Sequence, residues 1–301
     1  MPILIAEDEP LTRLALSRAL SGWGYHVTAV EDGPSALSAL SAAGAPQLAI
    51  LDWEMPGLSG LEVCREIRAL EGRPYIYVIL VTGRDRPADL LDGHGSGVDD
   101  YLTKPYDDQM LELRVRAGRR IVDLQRQLIS AKEAAQFQAD HDALTGLWNR
   151  GRIVSFLSSL CDRRQTERIG IVLFDLDHFK RFNDEHGHAA GDAILREVAG
   201  RVSNVLRPYD GFGRYGGEEF LLVLPDCDAE TAVKVAERAR IALGESSVEI
   251  PGGKATVTAS FGVVSFEGKG VPVDFDGLLT TADTALYRSK AEGRNRVTMI
   301  Q

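Results

Sequence analysis

Cysteine is scarce, with three residues, Cys64, Cys161 and Cys227, in a chain of 301. No two of them stand at a metal-binding or redox spacing, which fits small buried thiols in a reducing compartment. Long apolar runs are also missing. No stretch approaches the roughly 20 apolar residues that span a bilayer. The opening Met1-Pro2-Ile3-Leu4-Ile5 meets Glu7-Asp8-Glu9 too soon for a signal peptide. A cytoplasmic protein with no membrane partner is the expectation. A basic excess is absent as well: 34 Lys and Arg stand against 44 Asp and Glu, a formal net charge of −10. Nucleic-acid binding leaves a basic footprint, so no nucleic-acid partner is expected. Nothing after residue 118 reads as a helix-turn-helix with a basic face.

What is present is enough apolar material, 44% of the chain, for two cores, and the length exceeds that of a usual single domain. In the N-terminal half Ile3 to Ala6, Leu48 to Leu51, Tyr75 to Val81 and Tyr101-Leu102 read as strands. Leu11 to Ser21, Gly33 to Ala43 and Gly60 to Leu70 read as helices. Alternation of this kind predicts a parallel sheet covered on both faces, with its site beyond the carboxyl ends of the strands. Those ends carry Glu7-Asp8, Asp52, Thr82 and Lys104-Pro105. Carboxylates gathered in one place repel unless a cation binds, so Mg²⁺ is expected, with Mn²⁺ as an alternative. Asp52 suits a nucleophile towards phosphorus, while Lys104 and Thr82 suit stabilisation of an added phosphate. Singly, each has a plainer use as helix cap, strand former or solvated cation; all four in order carry the argument.

Residues 1 to about 118 resemble the receiver domain of two-component response regulators, through Asp52-Trp53-Glu54-Met55-Pro56-Gly57-Leu58-Ser59-Gly60 and Tyr101-Leu102-Thr103-Lys104-Pro105. The resemblance implies a doubly wound, flavodoxin-like α/β fold and phosphate supplied by a cognate histidine kinase or phosphotransfer protein. By it, Asp52 is the phosphoacceptor, Asp8 the main metal carboxylate with Glu7 assisting, and the Glu54 carbonyl a further ligand. Thr82 and Tyr101 are the switch pair, and Lys104-Pro105 is joined by a cis bond. Gly83 stands where Ala is commoner, loosening the loop that follows.

The C-terminal half centres on Gly211-Phe212-Gly213-Arg214-Tyr215-Gly216-Gly217-Glu218-Glu219-Phe220. Gly216-Gly217 between apolar runs predicts a two-residue hairpin turn with positive φ. Two carboxylates directly after a bare turn suit a hard cation beside an anionic ligand, although a solvated acidic hairpin has the same composition. Ile169 to Phe174 reads as a buried strand ending in Asp175-Leu176-Asp177. Beyond it, helix-opening N–H groups and Lys180 suit phosphate. Asn183 suits a base edge and Asp192 guanine's donors. Lys290 and Arg294 stand at i and i+4, which aims both from one helix face.

Residues 139 to 301 resemble the GGDEF family of diguanylate cyclases in its GGEEF form. Asp142-Ala143-Leu144-Thr145-Gly146-Leu147-Trp148-Asn149-Arg150 is similar to that family's opening motif, with Trp148 where Pro is commoner. The resemblance implies an α+β domain with a ferredoxin-like, palm-type core. It implies condensation of two GTP to cyclic di-GMP with release of pyrophosphate. Asp175, the Leu176 carbonyl and Glu218 would hold one or two Mg²⁺. Asn183 and Asp192 would read guanine, with Phe179, Gly216 and Gly217 also binding the substrate. Lys180, Lys290 and Arg294 would neutralise the triphosphate, and Glu218 or Glu219 would lie near the attacking 3′-hydroxyl. Phosphoryl transfer of this kind works mainly by positioning and charge neutralisation. Arg207-Pro208-Tyr209-Asp210 reads singly as a surface ion pair worth little; by resemblance it is the inhibitory product site, with Arg238 as a secondary contact.

Between the halves, residues 119–138 are read as a signalling helix. Ala117, Ile121, Leu124, Leu128, Ala131 and Ala135 recur at steps of four and three, a heptad seam. A helix packed on its own domain is one reading. A parallel two-stranded coiled coil, making a homodimer through receiver and helix, is the preferred one. The expected function is a phosphorylation-activated, product-inhibited diguanylate cyclase. Against it stand a non-catalytic receptor for GTP or cyclic di-GMP, and a cyclase making a mixed GMP–AMP product, which Asp192 disfavours.

Overall fold

The computed structural model describes residues 1–70, 72–83, 97–161, 168–268 and 274–300. The loop expected to loosen after Gly83 lies outside the described residues. The chain divides into two compact units, Met1–Glu133 and Ala134–Gln301.

In the first unit, β1 (Pro2–Ala6), β2 (His26–Val30), β3 (Leu48–Asp52), β4 (Tyr77–Thr82) and β5 (Asp100–Thr103) form a parallel sheet in the order β2-β1-β3-β4-β5. This is the doubly wound, flavodoxin-like order, in which the crevice opens where the winding reverses, between β1 and β3. Alternate side chains feed two cores. Ile3, Ile5, Ile50 and Ile79 face helices α1 (Pro10–Gly22) and α4 (Asp108–Asp140). Leu4, Leu51, Val78 and Leu80 face α2 (Gly33–Ser41) and α3 (Gly60–Ala69). Each such side chain taken from water contributes about 1.5–3 kcal/mol. Ser59 and Glu62 close a capping box at the start of α3. Asp32 caps α2 by accepting from the Ser35 N–H at 2.7 Å.

Helix α4 is continuous for 33 residues and carries two stripes. Leu111, Val115, Gly118 and Val122 are buried, the apolar members of that stripe in the first core. Ile121, Leu124 and Leu128 are 40%, 54% and 70% exposed, and Ala117, Ala131 and Ala135 are exposed with them. Packing on its own domain therefore uses a different stripe from the heptad seam.

The second unit is a five-stranded sheet in the order β12-β11-β6-β8-β7. Its strands are β6 (Arg168–Leu176), β7 (Gly211–Gly216), β8 (Glu219–Pro225), β11 (Ala259–Glu267) and β12 (Val297–Ile300). All pairings are antiparallel except β11 with β12. A small hairpin, β9 (Val248–Ile250) and β10 (Gly253–Ala255), forms a separate two-stranded sheet whose Val248 joins the domain core. The central β6 sends Val172, Phe174 and Leu176 into one core and Ile169, Ile171 and Leu173 into the other. That is why it reads as an unbroken apolar run. Helices α5 (Arg150–Cys161) and α9 (Phe275–Ala291) supply one face; α7 (His188–Ser203) and α8 (Ala229–Gly244) supply the other. Helix α6 (Phe179–His186) follows β6 directly. No described helix is long and apolar enough to cross a membrane.

Candidate functional site

The carboxyl edge of the parallel sheet gathers Glu7, Asp8, Asp52, Glu54, Thr82 and Lys104 around one cleft. Carboxylate oxygens of Glu7, Asp8 and Asp52 lie within 4.8 Å of one another. The Lys104 ammonium donates to Asp52 Oδ2 at 2.6 Å and to Glu7 Oε2 at 2.9 Å. Burial pushes the Glu7 carboxyl above its ordinary range, and the Asp52 charge adds to this, against the Lys104 hydrogen bond. For Lys104, burial acts downward, but its two carboxylate partners more than offset it and hold the ammonium above its ordinary range. Three carboxylates with one ammonium leave surplus negative charge at close quarters, so the donor set fits a divalent cation. A Cβ at Gly60 would stand 2.2 Å from the Asp52 carbonyl oxygen, so only glycine lets α3 begin this close to the candidate phosphoacceptor.

The Lys104-Pro105 bond is cis, as expected. Tyr101 pairs with Leu80, two residues before Thr82. Its ring packs against the core beneath α2 and α3, and its hydroxyl is buried with no hydrogen-bond partner among the described residues.

In the second unit the strand end carrying Asp175 is flanked on both sides. Asp175 pairs with Glu219 of β8 and with Ser260 of β11, and the Leu176 N–H donates to the Glu218 carbonyl at 3.3 Å. Burial raises the Asp175 carboxyl to about 6; Lys290 opposes this, while Glu218 and Glu219 add to it. The Lys290 ammonium stands 3.1 Å from Asp175 Oδ1. A buried carboxylate in the field of two others, drawing in an ammonium, is a donor set that fits Mg²⁺.

Two expectations are corrected here. The hairpin turns at Gly217-Glu218, since Gly216 pairs with Glu219, and neither Gly216 nor Gly217 has positive φ. An irregularity between Arg214 and Gly216 shifts the register, so the turn is not the primed Gly-Gly type. Nor do Lys290 and Arg294 share a helix face. Helix α9 ends at Ala291, Gly293 has φ +115°, and Arg294 itself has φ +62°. The Arg294 residue is exposed beyond the helix.

Beside this strand end a cleft is lined by Phe179, Asn183, Gly191, Asp192, Arg214 and Glu218, with Gly217 at its rim. The Asn183 Oδ1 is buried without a partner among the described residues, an acceptor left unsatisfied beside the cleft. A Cβ at Gly191 would fall 1.9 Å from that oxygen. Gly191→Ala is therefore expected to displace the amide and, for a ligand bonded to it, to raise the KM about tenfold, the worth of one good hydrogen bond. Steady-state kinetics checks this, and an unchanged KM would rule it out. Lys180 is exposed in the first turn of α6.

Sequence reasoning missed Arg214. Its Nη1 reaches both Asp142 carboxylate oxygens at 3.2 Å, and Nε and Nη2 donate to the Gly217 carbonyl at 2.9 and 2.7 Å. One guanidinium thus ties the loop after α4 to the turn. Only the planar fork of arginine makes both contacts, and its partner lies 72 residues away.

The Arg207–Asp210 pair is not the simple ion pair considered from sequence. Asp210 Oδ2 accepts the Arg207 backbone N–H at 2.8 Å, and the Arg207 guanidinium bonds the Tyr209 hydroxyl at 3.2 Å. Arg238 donates to the Val205 carbonyl, two residues ahead of this turn.

A doubly wound domain with an acidic, lysine-closed pocket is followed by an α+β domain whose hairpin carries carboxylates, so each domain has an acidic site of its own. Two family patterns match the chain: "Response regulator receiver domain" over residues 3–116 and "Diguanylate cyclase, GGDEF domain" over residues 139–296. The chain belongs to the GGDEF family and carries a receiver domain ahead of the GGDEF domain. Response regulator PleD of Caulobacter vibrioides is 33% identical over 280 residues, covering 90% of this chain and 60% of that protein. The chain therefore spans about three-fifths of that relative's length. Diguanylate cyclase A of Treponema denticola is 44% identical over 138 residues, 44% of this chain and 35% of that protein. Among solved structures, the coiled coil and GGDEF domain of DgcB from Caulobacter crescentus, in complex with c-di-GMP, aligns with TM-score 0.56 and 30% identity. It covers 62% of this chain and 99% of that one.

Proposed function

We propose that the chain is a phosphorylation-activated diguanylate cyclase: a receiver domain over 1–118, a signalling helix over 119–138 and a cyclase domain over 139–301. The observation that carries the reading is the Asp175 strand end, where a buried carboxylate raised to about 6 faces Glu219 and pairs with Lys290. Such a site has little structural use and suits a metal-bound triphosphate.

In this reading Asp175, the Leu176 carbonyl and Glu218 hold Mg²⁺, which supplies positive charge that screens the triphosphate. Asn183 and Asp192 read guanine above Phe179. Lys180, Lys290 and Arg294 neutralise the phosphates. Glu218 or Glu219 takes the proton of the 3′-hydroxyl as that oxygen attacks the α-phosphorus of a second GTP and pyrophosphate leaves. Each domain holds one GTP, so two domains of a homodimer meet face to face. In the receiver, Asp52 accepts phosphate from a histidine kinase or phosphotransfer protein, with Mg²⁺ held by Glu7, Asp8 and the Glu54 carbonyl and the added charge met by Lys104 and Thr82.

The test is turnover of GTP with Mg²⁺, with and without beryllofluoride, with product identified by mass. Cyclic di-GMP at a rate raised by beryllofluoride is the expected result, and Asp52→Asn is expected to abolish the rise while leaving the basal rate. Stimulation that survives Asp52→Asn rejects the relay. Binding of GTP without turnover in either state favours the receptor reading. Arg207→Ala is expected to raise the plateau of product by relieving inhibition at the Arg207–Asp210 turn beside Arg238; an unchanged inhibition curve rejects that site.

A further inference from the structure

Two residues beyond Asp175, a second carboxylate makes no ion pair among the described residues. Asp177 Oδ1 accepts from the Ser260 hydroxyl at 2.6 Å; Oδ2 accepts from the Thr258 hydroxyl at 2.7 Å and from the Asn295 backbone N–H at 3.1 Å. Its own N–H donates to the Thr258 carbonyl at 2.8 Å. Ser260 is fully buried. A carboxylate supplied with three neutral donors is fixed in place by them.

The third donor is the informative one. Asn295 belongs to the turn by which the chain leaves α9 for β12, and Arg294 and Asn295 adopt φ of +62° and +44°. An arginine holds that conformation only when its surroundings determine it. Here the Arg294 N–H bonds the Ser289 carbonyl at 3.0 Å, and the Asn295 Oδ1 accepts from Arg240 Nη1 at 3.1 Å. Those bonds tie the turn to its own helix and to α8. Among the described residues, Asp177 alone ties it by a hydrogen bond to the strand end that carries Asp175.

We infer that Asp177 is a positioning residue that pins the left-handed turn to the end of β6, setting Arg294 at a fixed reach from Asp175 so that the guanidinium meets a nucleoside triphosphate. This rests on the reading of Arg294 as a triphosphate cation. Lys290, inside α9, needs no such tether; Arg294, exposed beyond the helix, does.

The experiment measures binding of guanosine 5′-(α,β-methylene)triphosphate and of GMP, with Mg²⁺, to the full chain and to Asp177→Ala, Arg294→Ala and the double variant. Each single variant is expected to weaken the triphosphate analogue about ten- to a hundredfold, the cost of misplacing one group by about 1 Å. GMP binding stays within about twofold, and the double variant is no worse than Arg294→Ala, because the two act through one contact. Losses that multiply in the double variant, or an unaltered Asp177→Ala beside an impaired Arg294→Ala, overturn the positioning role. An unaltered Arg294→Ala removes the triphosphate reading itself. Because Asp177→Ala leaves Ser260 without its acceptor, Ser260→Ala serves as a second variant. A smaller loss confined to the triphosphate is expected; equal losses for GMP and triphosphate mark a purely structural role and overturn the inference.

Discussion

Asp175→Asn is expected to lower GTP turnover about 10²–10³-fold, the cost of removing one preorganised charge contact from a reacting centre. The amide keeps the carboxylate's shape at the end of β6, so the ladder to Glu219 and Ser260 stays intact. What it removes is the charge that a cation needs. A second measurement separates this loss from misfolding. The Asp175 carboxyl is raised from 3.8 to about 6, chiefly by burial. A carboxyl raised in the folded state contributes stability below its unfolded pKa and loses it as pH rises through the folded value. The metal-free protein is therefore expected to lose about 3 kcal/mol between pH 4 and pH 6 from this group, two pKa units at about 1.4 kcal/mol each. Asp175→Asn escapes that loss and should melt at or above the wild-type temperature in EDTA at pH 7.5. In the wild type, Mg²⁺ affinity should fall as pH drops through about 6, because the proton competes for the same oxygen. A variant that keeps its turnover, or one that melts well below wild type, would contradict the assignment.

Legibility in the sequence followed burial. The strand β6 was readable because both faces are covered, which leaves Ile169 to Phe174 without a polar interruption. The strand His26–Val30 was not named, since it lies at the sheet edge with most of its residues exposed and so shows no apolar pattern. Glu7, Asp8 and Asp52 were legible from their positions at strand ends, and the fold brings their oxygens together. The Gly216-Gly217 turn was misplaced because the register shift after Arg214 is a property of the paired strands and has no composition of its own. The end of α9 did carry signals, Gly293 and Asn295 being residues that stop helices, and the i, i+4 reading of Lys290 with Arg294 passed over them. Asp177, Gly191 and Arg214 act through partners that the fold supplies. Asp177 meets Ser260 across 83 residues and Asn295 across 118, separations that no periodicity reports.

Leu124→Asp combined with Leu128→Asp is expected to leave the chain monomeric and to lower turnover at least a hundredfold, about 2.7 kcal/mol or more in activation free energy. The argument begins with exposure. Helix α4 buries Leu111, Val115 and Val122 against its own domain, yet leaves Ile121, Leu124 and Leu128 largely in water. Covering each in a two-stranded seam contributes up to about 1.5–3 kcal/mol. The alanines at 117, 131 and 135 contribute much less, so the pair of leucines holds a large part of the association. Two carboxylates facing two more across the seam reverse its sign. Neither leucine lines either acidic site, so each domain should keep its ligand. Sedimentation should show a beryllofluoride-stabilised dimer for the wild type and a monomer for the variant. Binding of the methylene analogue to each chain should be unchanged. Turnover that persists at full rate in a demonstrated monomer would break the link between this stripe and the pairing of two GTP-loaded domains. Loss of turnover with analogue binding intact would place the defect in assembly, because in the proposed reaction each domain holds one GTP and the attacking 3′-hydroxyl comes from the other.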